Sequence, residues 1–375
     1  MDTPLIGPET FLGLPAPYWF LAFFKVFGFS LHVIPMNLWY AGLLTVLLAG
    51  RFGGEHARRL RDRFLKALPI LIALGINFGI VPLLFTQVAY YQVFYPATIL
   101  MASPWFSVIF LVMLAYYGVY IYVVGLSRPS LSQFRRTFGW LAAGLFILVG
   151  FLFANAFSLM TNVSGWQALW RSTSFAGAAF GTGLNLADPS LVPRWLMMFG
   201  LALTTTGAYV LVDSAFFAAK EKVEYRQWAR RFAFAVYTGG MIWFALAGSW
   251  YFFGTLGPEI RLTLLRSPTL IVTLLTALSP GLPWLVIRFN IDREARGLAL
   301  LTGFAQFGVV ALNAVSRQIV QNAELAPVVD VTAQAVRLQL SPMIVFLVLF
   351  VVGLGIVYWM VLQAVKAGRR PTQEA

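Results

Sequence analysis

Of the 375 residues, 59% are hydrophobic and 11% charged, whereas about a quarter of a soluble domain is charged; the composition excludes a soluble globular protein and places the chain in a bilayer. The net charge of +13 does not point to nucleic acid, because the lysines and arginines fall in short loops between apolar runs and act there as topology signals. The absence of cysteine excludes disulfides, thiolate metal sites, iron–sulfur clusters and covalently attached haem.

The opening MDTPLIGPETFLGLPAP lacks the basic segment of a secretory signal, and the apolar run that follows is about twice the length of a signal's hydrophobic core. It is expected to persist as the first spanning helix. At roughly 20 apolar residues per crossing, spans are predicted over 17–49, 67–92, 105–126, 138–164, 194–218, 231–254, 268–290, 298–315 and 341–366. They make a single membrane domain over 1–375: an all-α integral membrane protein of nine transmembrane helices, two four-helix bundles plus a ninth helix. Twenty lysines and arginines fall on one side, in 51–66, 127–137, 219–231, 288–297 and the tail from Lys366. The other side holds six, Arg171, Arg194, Arg261, Arg266, Arg317 and Arg337. The positive-inside rule then puts the N-terminus outside and the C-terminus inside.

Span one carries KVFGFSLHVIPMNLW. Lys25, Phe29, His32 and Met36 follow one another at steps of four, three and four, which is one helical face. Of the two histidines, His56 lies in a charged loop, so His32 is the one imidazole at membrane depth. Neutral imidazole is the common axial ligand of a b-type haem. The competing role is a hydrogen bond to a neighbouring helix, with Asn77, Asn155 or Gln87 as partner. Pro35 suggests a local kink. Lys25 either meets an anionic group or snorkels outward.

Between Asp62 and Asp188 there is no Asp or Glu, so spans two to four carry no carboxylate and no ordinary proton relay. Aromatic-rich QVAYYQVFYPATILMASPWF reads as interface belt and packing, and would equally line a flat pocket for a quinone or porphyrin. Span four ends in Asn155-Ala156-Phe157-Ser158 and span eight in Asn313-Ala314-Val315-Ser316, a short internal echo. Asp213 in span five lies near Lys220 and Lys222 and reads as a surface pair or a buried site. The segments 165–193 and 316–340 are the largest on the sparsely charged side, and 316–340 is expected to lie on the surface as an interfacial connector.

The order of these motifs resembles subunit I of the cytochrome bd-type quinol oxidases. The resemblance rests on His32 with Pro35, on GINFG at Gly75 to Gly79, on Ala154 to Asn162 running to Gly165, and on Ser316-Arg317-Gln318-Ile319-Val320. It implies a nine-span subunit of a respiratory complex in a prokaryotic inner membrane, alongside other membrane subunits, with quinone and haem as cofactors. The sequence departs from the family where Met198 stands at the second haem histidine, where SPTLIVTLL lacks the partner methionine, and where Ala314 replaces a carboxylate. The acidic residues of span three are absent, and the outer loop between spans six and seven is short. These departures argue against a three-haem, oxygen-reducing enzyme. What remains is electron exchange between the quinone pool and an outer-face, cytochrome c-type partner through at most one b-type haem. The residues implied are His32 as metal ligand, with Met36, Asn77, Asn155, Met198, Arg317 and Gln318 about the cofactor. A haem-free scaffold subunit and a transporter of a neutral solute are the alternatives.

Overall fold

The computed structural model describes residues 5–126 and 132–369. Among them, nine helices are long and apolar enough to cross a membrane: Tyr18–Phe52, Glu55–Ala89, Ala102–Leu126, Gln133–Thr161, Leu191–Phe216, Val223–Thr255, Thr269–Asn290, Arg296–Leu325 and Leu340–Met360. We number these spans one to nine. Helix is the expected state for each, because a single strand in lipid would leave its backbone N–H and C=O groups without partners.

Spans one and seven are irregular for identifiable reasons. Span one continues through Pro35 and widens over Leu38–Gly42 before resuming as Leu43–Phe52; the expected distortion at Pro35 is thus realised one turn further on, where Tyr40, Ala41 and Gly42 are buried. Span seven consists of Thr269–Leu278 and Gly281–Asn290, interrupted at Ser279 and Pro280, where the proline cannot donate to the ladder.

Spans one to four pack as one bundle and spans five to eight as a second. The first is centred on Leu43, Leu60, Phe64, Leu68, Val119 and Phe146, all essentially inaccessible. In the second, Gly240 of span six meets span five so closely that a Cβ would lie 2.7 Å from the Thr204 nitrogen, the small-residue contact by which membrane helices approach. Span one is the most buried of the nine and seals the two halves: Asn37 Nδ2 donates to Thr205 Oγ1 of span five at 2.9 Å. Gln306 of span eight donates to Thr204 and Thr205 at 3.1 Å and accepts from the Tyr237 hydroxyl at 2.8 Å. Span nine stands at the edge, its apolar window unburied; Phe346 and Phe350 reach Phe24 with ring centroids 4.9 and 5.2 Å apart.

Two expectations need correction. Span eight runs ten residues past position 315, to Leu325, so the first part of 316–340 is spanning helix rather than surface connector. Its polar residues look amphipathic in sequence, but Gln318 and Gln321 are buried, and their partners are Tyr18 and Lys25 of span one and Tyr90 at the end of span two. Asp213 pairs with Arg63 of span two at 2.7 Å, not with Lys220 or Lys222. Beside that pair, Glu221 accepts from Arg59 at 2.8 Å, and this bond holds its carboxyl below the ordinary glutamate value.

Candidate functional site

A cavity of about 440 Å³ lies between the two bundles. Its walls are predominantly apolar: Phe29, Val33 and Met36 from span one, Ala154 and Phe157 from span four, Met197, Met198 and Leu201 from span five, and Phe244 from span six. Spans seven and eight close the remaining side with Thr276, Asn313, Ser316 and Arg317.

Arg317 is the distinctive residue of this cavity. Its guanidinium carbon lies 4.7 Å from the centroid of Phe29 and 4.7 Å from that of Phe157, a double cation–π contact. No carboxylate among the described residues lies within ion-pairing distance of it. Beyond it on the same face, at steps of four and three, come Gln321 and Glu324, both also on the cavity wall. Glu324 pairs with Arg194 of span five, whose guanidinium carbon lies 5.1 Å from the Tyr251 ring. Three buried polar atoms here have no partner among the described residues: Gln321 Nε2, Arg194 Nε and Glu324 Oε2. Lys25 donates to Gln321 Oε1 at 2.7 Å and lies 4.3 Å from the Tyr90 ring. Its amine therefore turns inward, and the snorkelling alternative is set aside. The guanidinium groups of Arg317 and Arg194 and the amine of Lys25 gather here with the carboxylate of Glu324, and Asp188 lies within electrostatic reach of Arg194. The end of the cavity remote from the basic loops is thus electropositive and presents unused donors.

The residues singled out from sequence divide between this cavity and other places. Met36, Met198 and Arg317 line it; His32 does not. At about 100° per residue, Val33, Met36 and Asn37 cluster around the direction of Phe29, while His32 lies to the flank that faces span two. Its Nδ1 is 2.7 Å from the Gly75 carbonyl oxygen, which as an acceptor requires Nδ1 to carry the proton and leaves Nε2 with a free lone pair. Gly79 makes room for the ring: a Cβ there would lie 2.8 Å from Nδ1 and 2.9 Å from Cε1. The GINFG segment is thus the seat of the histidine. The helix-bonding role foreseen for His32 takes a backbone carbonyl as partner, instead of Asn77, Asn155 or Gln87.

Gln318, next in sequence to Arg317, faces about 100° away and enters another network. It donates to the Tyr90 hydroxyl at 2.5 Å, to Asn322 Oδ1 at 2.9 Å and to the Tyr18 hydroxyl at 3.2 Å. Asn77 is exposed and returns its amide to the Ala73 carbonyl of its own helix at 2.8 Å. Asn155 is fully buried and accepts from the Asn185 backbone N–H at 3.1 Å, anchoring the 165–193 segment to span four. Arg194, Gln321 and Glu324 were not foreseen, since 194 was placed at a helix end and 321 and 324 in a connector. The signal available was the Arg317, Gln321, Glu324 spacing, which continues the face of span eight beyond 315.

No family model matches the chain and no curated protein matches it. Among solved structures, it is similar to the bd oxidase from Geobacillus thermodenitrificans, with a TM-score of 0.66 and 12% identity over 94% of this chain and 98% of that one. At that identity the likeness is one of fold. The chain is a multi-pass, predominantly helical membrane protein with the fold of a bd oxidase chain.

Proposed function

We propose that this chain is the membrane subunit of a respiratory electron-transfer complex in a prokaryotic inner membrane. It exchanges electrons between the quinone pool and a cytochrome c-type partner on the face remote from the basic loops, through at most one b-type haem. The N-terminus lies on that outer face and the basic loops inside. The observation that carries this reading is Arg317, a guanidinium with no ion-paired carboxylate among the described residues, set between two phenyl rings on the wall of an apolar cavity.

A charge at membrane depth is costly, and a flat apolar ligand bearing carboxylates answers both the walls and the charge. A b-type haem is such a ligand. Met36 of span one and Met198 of span five offer it soft thioether donors, and Arg317 offers a propionate charge-assisted hydrogen bonds. When bound, the group supplies one-electron transfer; the chain's own residues bind it, orient it and exclude water. His32 lies outside this lining, and its Nδ1 bond to Gly75 joins spans one and two while Nε2 stays free to ligate a metal.

A second reading keeps the cavity and changes its ligand. Phe253, Leu265 and Leu274 line the cavity and are also 68%, 48% and 50% exposed, so it opens toward lipid beside spans six and seven. A quinone with an isoprenoid tail fits that opening, with Arg317 donating to a ring carbonyl.

Dithionite-reduced minus oxidised spectra, a pyridine haemochrome assay and quinone extraction on protein purified in mild detergent separate the two. One haem that survives His32→Ala and is lost in Met198→Ala supports the first reading. Loss of haem in His32→Ala with retention in Met198→Ala would restore the histidine as ligand. Well-folded wild type without haem, carrying a quinone that Arg317→Gln releases, moves the second reading to first place.

A further inference from the structure

The opposite, basic end of the first bundle holds a second pocket of about 490 Å³. Four arginines line it: Arg51 from the end of span one, Arg58 and Arg61 from the start of span two, and Arg136 from the start of span four. Arg61 pairs with Asp62 at 2.7 Å. Arg51, Arg58 and Arg136 have no carboxylate within ion-pairing distance among the described residues. Gathered around one pocket, these like charges repel one another. They stay together at least cost when an anion lies among them.

A buried polar group also reaches the pocket. Tyr122 of span three is 2% exposed, lines the pocket and has no hydrogen-bond partner among the described residues. Gln133 at the start of span four adds an amide. The set thus combines guanidinium forks, a phenol and an amide, a donor array suited to phosphate oxygens. The surroundings select the kind of phosphate. Trp140 lies on the rim as an interfacial aromatic, and Phe52 and Phe134, beside Arg51 and Gln133 in sequence, are 78% and 71% exposed, as residues at an acyl-chain boundary are.

We propose that this pocket binds the phosphodiester head group of an anionic phospholipid of the leaflet that faces the basic loops. Basic pockets between spanning helices on that side are suited to such head groups. The ligand braces the converging ends of spans one, two and four, and its site is independent of the central cavity.

The test uses the full chain, delipidated in mild detergent, with native mass spectrometry and thermal unfolding as readouts. The probes are phosphatidylglycerol, phosphatidylcholine and inorganic phosphate. Phosphatidylglycerol is expected to bind and raise the melting temperature, whereas phosphatidylcholine does not. The double variant Arg58→Gln/Arg136→Gln is expected to lower the bound fraction about tenfold or more, as loss of charge-assisted contacts implies. Arg231→Gln, elsewhere on the same basic side, is expected to retain the response and so separates a site from general surface charge. Equal binding of both lipids, an unchanged response in the double variant, or an equal loss in Arg231→Gln overturns the proposal. So does an equal shift with inorganic phosphate, which would make the pocket a free-anion site. Should the glutamine pair not fold, Arg58→Lys/Arg136→Lys keeps the charge without the fork and is expected to bind more weakly while retaining the lipid preference.

Discussion

Replacing Arg317 by leucine tests whether that residue serves a ligand or the fold. In the ligand-free protein the substitution has two opposing effects. It forfeits contacts with Phe29 and Phe157 at 4.7 Å each, about 1–2 kcal/mol apiece where the cation is partly desolvated. It also removes an uncompensated charge whose placement within a spanning helix costs about 2.5–3.5 kcal/mol on insertion scales. The two nearly cancel, and ligand-free Arg317→Leu is expected to unfold within about 1 kcal/mol of wild type, since the sum of one pair of figures lies close to the other. Ligand content is expected to collapse over the same substitution, the pattern of a residue kept for function at no gain in stability. The assay pairs thermal or denaturant unfolding of ligand-stripped protein with haem and quinone quantification. A destabilisation beyond about 3 kcal/mol, the size reserved for named structural losses, with ligand retained would refute the reasoning and make Arg317 a helix-packing residue.

Gly79→Ala is expected to destabilise by about 1–3 kcal/mol, the range for overpacking, because its Cβ would lie 2.8 Å from His32 Nδ1. His32→Ala should relieve much of that cost, so a double-mutant cycle that comes out additive would sink the seat assigned to the imidazole. Asp213→Ala leaves Arg63 with only its 3.3 Å contact to Glu221 and is expected to cost about 1–3 kcal/mol, whereas Arg63→Met/Asp213→Leu recovers part of it. Denaturant unfolding of the two variants checks this. Glu221 has its carboxyl pKa lowered chiefly by the hydrogen bond from Arg59. A depressed folded-state value means its stabilisation is present above the ordinary glutamate pKa and lost as pH falls through the folded one. Melting temperatures between pH 7 and pH 3.5 should therefore fall more steeply for wild type than for Glu221→Gln, and parallel curves would contradict the assignment.

Nine crossings and their helical state were legible in the amino-acid order, because the lengths of the apolar runs and the need to satisfy backbone groups in lipid are local properties. The likeness to bd oxidase was legible in the same way: it rested on a few ordered motifs, and the fold agrees. GINFG is instructive, since Gly79 mattered through the imidazole it seats and Gly75 through the carbonyl it offers that ring. Which neighbour each helical face meets was not legible. His32 and Met36 share a stripe, yet Gly75 and Gly79 claim the first and the cavity receives the second. Arg317 and Gln318 share a motif, but a helical step of about 100° sends one to the cavity and the other to Tyr18 and Tyr90. Periodicity orders residues around a single helix axis; the rotation of that axis against its neighbours is set by packing across the whole bundle. For that reason the sequence by itself determined the spans and the residues able to do chemistry, and only the tertiary structure decided that Arg317, Gln321, Arg194, Glu324 and Lys25 meet at one end of a cavity.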